Sequence, residues 1–319
     1  MSLFQRADKK QAKARFGLIG PSGSGKTYTA LLIAATMGKK IAVIDTEHGS
    51  ASKYADEFTF DVAELTSFHP DQYIKTIEDA GKAGYEVLVI DSASHEWSGK
   101  DGCLEMHDRA VQRFGGNSYM AWAAVTPFHN RFIEAINSVP MHVIVTYRSK
   151  TDYLQVQTNG KTEIQKVGLA AVTREGAEYE LDIVGEMDQR HNLAITKTRC
   201  RALTDQFFEK PGADLAGIIL TWLNSGAPVA TPITAAQGKE LWDLAKAHGQ
   251  SVTDLVALIN GTLGTTYQSP REVLATEFDR VVAALMAAEP TGAESEDAPD
   301  ATAPPANDDS EHDTESQAS

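Results

Sequence analysis

Cysteine is scarce: the 319 residues contain two, Cys103 and Cys200. Two cysteines this far apart make neither a disulfide framework nor a thiol metal motif, and they read as free thiols of a reducing, cytoplasmic setting. Long apolar runs are missing too. No stretch of 18 or more apolar residues occurs, so nothing reads as a membrane span and no membrane partner is expected. Met1 to Arg15 is polar and basic, with no apolar segment of the kind a secretory signal carries. Positive charge is in deficit, with 29 Lys and Arg against 44 Asp and Glu and a net charge of −15. The deficit is uneven. Residues 290–319 carry nine acids and no Lys or Arg, which leaves −6 for residues 1–289. A mildly acidic body does not exclude nucleic-acid contacts, because phosphates need a local basic patch and not a basic total. The tail itself, rich in Pro, Ala, Ser and Thr, reads as disordered. The remainder is long enough for one large domain and one small one.

Glycine is concentrated where it has a use. Gly20-Pro21-Ser22-Gly23-Ser24-Gly25-Lys26-Thr27 fits G-x-x-x-x-G-K-[ST] at every position. The apolar run Phe16 to Ile19 precedes it as a buried strand would, and the Ala- and Leu-rich run from Tyr28 to Met37 follows as a helix. Strand, glycine loop and helix is the context of a phosphate-binding P-loop. Glycine lets the backbone N–H groups turn inward, and the helix N-terminus adds its dipole. Lys26 is placed to reach the β- and γ-phosphates and the Thr27 hydroxyl to hold Mg²⁺. The motif implies a bound nucleoside triphosphate, with ATP and Mg²⁺ as the expected cofactors.

The later segments supply candidate partners for that loop. Ile41 to Ile44 reads as a second strand ending in Asp45-Thr46-Glu47-His48, where an open α/β sheet places its chemistry. Glu47 is the candidate base for an attacking water, or else an acid capping a helix over Gly49 to Ala55. Val87 to Ile90 is a buried strand ending in Asp91, the Walker B form, expected to orient Mg²⁺. Just beyond, His95 and Glu96 read as supporting groups or as ordinary hydrogen-bonding residues. Ser92 to Gly116 reads as a loop with a short helix around Leu104 to Val111 and a mobile Gly-Gly end. Tyr119 to Ser138 reads as a long helix, kinked or interrupted near Pro127. Met141 to Tyr147 is another strand, ending in Thr146, Arg148 and Lys150.

After it, two alternating runs flank Asn159-Gly160, a strong hairpin signal. The hairpin region carries Lys150, Lys161 and Lys166, with Arg174 further on. It is either a ribbon that tracks a phosphate backbone or an exposed hairpin whose lysines discourage edge pairing. Tyr179 to Val184 and Leu193 to Thr198 read as strands. Lys197 and Arg199 would share one face at the end of the second, as a pair reaching a neighbouring subunit's γ-phosphate or as plain surface charges. Asp214 to Asn224 reads as a helix. Capping-box patterns at Thr234/Gln237 and Ser251/Asp254 open the helices of a small bundle.

Taken together, these segments resemble the RecA-type recombinase core. Ile44-Asp45-Thr46-Glu47-His48 is similar to the segment bearing the catalytic glutamate of bacterial RecA, and Val89-Ile90-Asp91-Ser92 to its Walker B strand. Thr146-Tyr147-Arg148-Ser149-Lys150 resembles the strand end that senses the γ-phosphate and leads to the second DNA loop, with Thr146 standing where RecA has Gln. The glycine-rich loop before Tyr119 corresponds to the first DNA loop. Lys197-Thr198-Arg199 resembles the cation pair that crosses the subunit interface. Phe4-Gln5-Arg6-Ala7 is similar to the F-x-x-A tether through which RecA homologues polymerise.

The resemblance covers roughly residues 1–224 and is greatest to phage-encoded RecA-like ATPases that assist strand annealing. It implies an α/β fold: a RecA-like P-loop NTPase core with a mostly parallel sheet, followed by a helical bundle and an acidic tail. The expected divisions are a basic arm (1–13), an ATPase domain (14–224), a linker (225–232), a helical bundle (233–289) and the tail (290–319). The implied activity is Mg-dependent, DNA-stimulated ATP hydrolysis at subunit interfaces, in recombination or annealing, in a host cytosol. The implied partners are single-stranded DNA, further copies of the chain in a ring or filament, and a single-strand-binding protein or other recombination proteins. The implied catalytic set is Lys26, Glu47, Lys197 and Arg199. Nucleotide contacts fall to Gly20 through Thr27, Tyr28, Asp91 and Thr146, metal to Thr27 and Asp91, and DNA to Arg148, Lys150, Lys161, Lys166 and Arg174. Two other readings share these residues: a ring-forming helicase or translocase, and a nucleotide-gated loader or scaffold with little turnover.

Overall fold

The computed structural model of the chain describes residues 6–158, 161–227 and 232–288, and for residues 151–169 the backbone alone. Phe4 and Gln5 of the tether-like motif, the Asn159-Gly160 turn, part of the linker and the acidic tail lie outside the described residues. The chain divides into two compact units, residues 1–229 and 230–319.

The first unit alternates strands and helices. β1 (Arg15–Gly20), α1 (Lys26–Met37), β2 (Ile41–Asp45), β3 (Asp61–Glu64), α2 (Pro70–Lys82) and β4 (Val87–Asp91) come first. α3 (Ser94–Ser98), α4 (Cys103–Arg113), α5 (Ser118–Ser138), β5 (His142–Thr158) and β6 (Lys161–Ala171) follow. β7 (Ile183–Met187), β8 (Asn192–Thr198), β9 (Phe207–Glu209) and α6 (Ala213–Asn224) complete it. The sheet has nine strands in the order β3-β2-β4-β5-β1-β7-β8-β9, with β6 paired to β5. β3 through β7 in that order are parallel, and β8, β9 and β6 are added by antiparallel pairing.

A parallel sheet is covered on both faces, so its strands are apolar on both sides. The two-residue alternation of side chains sorts them. Phe16, Leu18, Val43, Val89 and Ile144 pack with Leu31 and Ala34 of α1 and Leu215 and Ile219 of α6. Ile19, Ile44, Ile90, Val143 and Val145 pack on the other face with Tyr73 and Ile77 of α2 and Phe132 and Ile136 of α5. Register brings Gly20 level with Arg148, Asp45 level with Asp91, and Ile90 level with Val145. The C-terminal ends of β1, β5, β4 and β2 therefore share one edge, the place where open α/β sheets bind ligands.

Several expectations are corrected. β5 does not stop at Tyr147 but runs unbroken to Thr158, so the hairpin is its continuation. The segment read as a strand over Tyr179 to Val184 begins instead with a 3-10 turn, Ala177–Glu180, which follows Gly176 at φ 86°. Ser92 to Gly116 is mostly helical, as α3 and α4. The long helix expected over Tyr119 to Ser138 is present as α5, and of the two readings left open at Pro127 the interruption does not occur. The end of the basic arm is held to the first unit: Gln11 N–H donates to the Ala227 carbonyl, and Lys9 Nζ donates to the Trp222 carbonyl at 2.7 Å.

The second unit is helical. α7 (Ala235–Ala247), α8 (Val252–Leu263) and α9 (Phe278–Ala287) surround Leu241, Ala245, Leu255, Ile259, Val281 and Leu285. Thr234/Gln237 and Ser251/Asp254 form reciprocal capping boxes at the first two. Among the described residues no helix is long and apolar enough to cross a membrane.

Candidate functional site

Lys26 opens α1, and the preceding loop is shaped by Gly23 and Gly25 at φ 79° and 87°. Gly20 has a different constraint. A Cβ there would lie 2.6 Å from Ser24 Oγ and 2.9 Å from the Met187 carbonyl, so the loop leaves no room for a side chain. Lys26 Nζ is folded back on its own loop, donating to the carbonyls of Gly20 and Pro21 at 2.9 Å each. Burial pulls its pKa down, opposed by the negative charges of Asp91 and Glu47.

Asp91 closes β4 and is 1 % exposed. Thr27 donates to its Oδ2 at 2.6 Å, and Thr146 donates to its Oδ1. Burial nonetheless raises the Asp91 pKa, with both hydroxyl donors acting against that rise. Thr146, read as a γ-phosphate sensor, is fully buried behind Asp91 and orients that carboxylate.

Glu47 lies beyond the end of β2, where the chain turns at His48 with φ 57°. Asp45 sets the turn by accepting from Glu47 N at 2.6 Å and from Ala51 N at 2.9 Å. The capping role left open for Glu47 therefore belongs to Asp45. Glu47 Oε1 pairs with Arg148, accepting from Nε and Nη2 at 2.9 Å each. Arg148 in turn donates its backbone N–H to Ser94 Oγ at 2.9 Å. Thr46 ties the strand ends together, donating to the Ser92 carbonyl, accepting from Ser92 N and lying 2.7 Å from His95 Nδ1. A cleft of about 500 Å³ is lined by Ser22, Gly23, Gly25, Lys26, Thr27, Glu47, Tyr54, Asp91, Arg148 and Ser149. Tyr28 stands at its margin, its ring edge-on to Tyr54 and Phe58 at 5.5 and 5.4 Å.

The other cations lie elsewhere. Thr198 is level with Ile183, and Ile183 with Phe16. The Lys197–Arg199 end of β8 is thus four residues, or about 13 Å of strand, before the loop. Both groups are already engaged within the protomer. Lys197 Nζ donates to the carbonyls of Glu178, Tyr179 and Leu181, and Arg199 pairs with Asp182 at 2.7 Å. Within the protomer, the pair expected to reach a neighbouring subunit's γ-phosphate is thus held by groups of the 3-10 turn and of the residues leading into β7. Lys150 is exposed at the base of the hairpin. Lys161 and Lys166 stand on β6, paired through the backbone with Thr158 and Tyr153, and their side chains lie outside the described residues. Arg174 is beyond β6 and half-buried, its Nη1 3.4 Å from Asn130 Oδ1 of α5.

Sequence reasoning missed Ser94, Tyr54 and His191. His191 Nδ1 is 3.1 Å from the Ser24 carbonyl and stands 3.0 Å from where a Gly25 Cβ would be. None of the three carries a motif. Asp45 was legible in principle, as an acid two residues before the backbone N–H it accepts from.

The residues fit a magnesium nucleotide. Ser24 Oγ is buried without a hydrogen-bond partner among the described residues, and it faces the loop interior where Gly20 has no side chain. Thr27 and Asp91 offer hard oxygen ligands side by side, suited to Mg²⁺, and Lys26 and Arg148 bring positive charge to the same cleft. Among known proteins, a family model described as an AAA domain matches residues 12–206. No curated protein sequence matches the chain. The matched stretch holds the loop, β1 through β8 and every residue of the cleft, and on that footing the chain belongs to the AAA domain family.

Proposed function

We propose that the protein is an ATPase whose nucleotide state controls a grip on single-stranded DNA, in strand annealing or recombination. The family supports nucleotide-dependent activity. The DNA reading rests on one observation above all: β5 is a single strand from the nucleotide cleft into the basic hairpin. Its Thr146 holds Asp91, its Arg148 holds Glu47, and two residues on Lys150 enters the ribbon paired with β6. A shift at the cleft end would pass along this strand to the hairpin, whose pairing register changes between Asp152 and Tyr153.

Bound MgATP supplies the phosphoanhydride to be cleaved and the divalent charge. Thr27 and Asp91 would hold the metal, and Lys26 would leave the Gly20 and Pro21 carbonyls for the phosphates. Glu47 would accept the proton of an attacking water. Glu47 is paired with Arg148. A γ-phosphate competes for the same guanidinium, which frees Glu47 and moves Arg148 together. The pairing thus links the base to the start of the hairpin.

The test is fluorescence anisotropy of a labelled oligo-dT strand over a salt series, with ADP and with a non-hydrolysable ATP analogue. Wild type is expected to bind more tightly with the analogue. Reversal of Lys150, Lys161 and Lys166 to Glu is expected to flatten the salt dependence by about 0.7 in log–log slope for each phosphate that a lysine no longer neutralises. Unchanged slopes would reject the hairpin as the DNA-binding element.

One observation favours a second reading. Lys197 and Arg199 are satisfied within their own protomer, as suits a nucleotide-gated scaffold that does not complete a neighbour's site. Negligible hydrolysis at every protein and DNA concentration would select it.

A further inference from the structure

A second cluster of reactive groups lies apart from the nucleotide cleft. Glu96 of α3, Cys103 at the start of α4 and His129 of α5 converge beneath those three helices. They are 0, 0 and 3 % exposed. Cys103 Sγ lies 3.0 Å from Glu96 Oε1, and His129 Nδ1 lies 3.1 Å from Glu96 Oε2. The three ligand atoms are all within 4.8 Å of one another.

Burial of a carboxylate demands a counter-charge. Around Glu96 stand a thiol, an imidazole and the aromatic rings of Trp97 and Phe132 packed on His129, and Arg174 lines the same cleft as His129. No Lys or Arg is paired with Glu96 among the described residues; its ion-pair partner is His129, which carries charge only when protonated. Thiolate, imidazole and carboxylate together suit zinc and its near relatives, whereas calcium and magnesium take oxygen. A divalent ion with one carboxylate and one thiolate makes a charge-neutral unit, which a dry interior tolerates. His129 also borders a surface cleft of about 590 Å³, a route by which water can complete a four-coordinate ion.

We infer that Glu96, Cys103 and His129 form a binding site for a zinc-class divalent metal ion. On binding, the thiol proton leaves to solvent, His129 offers the Nδ1 lone pair with its proton on Nε2, and the three helices are fastened together. The consequence reaches the nucleotide cleft through α3, since Ser94 on that helix accepts from the Arg148 backbone. The inference itself does not depend on which nucleotide reaction the cleft performs.

Untagged full-length protein, stripped with a chelator and dialysed, should be titrated with Co²⁺ and then with Zn²⁺. One equivalent of Co²⁺ is expected to give a near-ultraviolet thiolate-to-cobalt band with the intense visible bands of a tetrahedral ion, and Zn²⁺ is expected to abolish both. Cys200→Ser should keep the spectrum and Cys103→Ser should lose the thiolate band. Glu96→Gln should weaken Zn²⁺ binding at least tenfold, measured by competition with a chromophoric chelator. Trp97 packs on His129 with ring centroids 5.5 Å apart, so bound Co²⁺ should quench its fluorescence stoichiometrically, which gives a readout that needs no variant to fold. A wild-type spectrum without a thiolate band, or a band that survives Cys103→Ser, would overturn the assignment and leave a hydrogen-bonded triad.

Discussion

Folding stability should depend on pH through His142, the first residue of β5. Its ring is 5 % exposed, and Nδ1 accepts the Ala14 N–H at 3.1 Å. That bond requires an unprotonated Nδ1, so the ring proton sits on Nε2. Burial, with Lys13 and Arg15 close by, pushes the pKa down to about 4, against a smaller opposing effect of Glu86. Unfolded, the imidazole titrates near 6.5. Between those values the unfolded chain takes up a proton that the folded chain refuses, so stability falls as pH falls through this window and is complete above it. At 1.36 kcal/mol per pH unit, the gap amounts to about 3 kcal/mol. His142→Asn keeps an acceptor for Ala14 and removes the titration. The assay is urea denaturation from pH 7.5 to 4, followed by tryptophan fluorescence in a Trp242→Phe background, where Trp97, Trp122 and Trp222 report the first unit alone. Carboxylate titrations are common to both proteins and cancel in the difference. The wild type should lose about 3 kcal/mol relative to His142→Asn across the range. Parallel curves would refute the reasoning.

Other outcomes follow from the same geometry. Lys26→Ala should abolish binding of a fluorescent ATP analogue while the urea midpoint holds, since its partners are two carbonyls of its own loop. Glu47→Gln should retain nucleotide binding and lower the hydrolysis rate by about 10²- to 10⁴-fold, the range for a lost general base. Thr146→Val leaves an oxygen of buried Asp91 without its donor and should cost about 1–3 kcal/mol of stability by denaturation, largely restored by Thr146→Ser. In the second unit, Leu241→Ala should cost about 2–5 kcal/mol of that unit's stability, with nucleotide binding unchanged.

The phosphate loop was legible because its chemistry fixes both residue type and spacing. Strands β1, β2 and β4 were legible because strands buried on both faces are written as unbroken apolar runs. β5 was not legible as one element, for the converse reason. Its first half is such a run and its second half alternates, so one strand that leaves the core looks like two. β9 has three residues, too few to show a period. Thr146 could be placed at a strand end but not behind Asp91, because the sequence does not show which strand lies between β1 and β4. The cluster of Glu96, Cys103 and His129 has no metal-ligand spacing; only the packing of α3, α4 and α5 brings it together. Lys197 and Arg199 look free in the sequence because the groups that satisfy them, backbone carbonyls and Asp182, come from a turn and a strand start that together resemble one strand.

The central claim is that β5 couples the nucleotide to the hairpin through Arg148. The most direct measurement is the ratio of oligo-dT affinities with the ATP analogue and with ADP, in wild type and in Arg148→Ala, under conditions where both bind nucleotide. The expected ratio is well above one in the wild type and near one in the variant, with binding to each ligand alone preserved. A ratio of one in the wild type, or an equal ratio in both proteins, would contradict it.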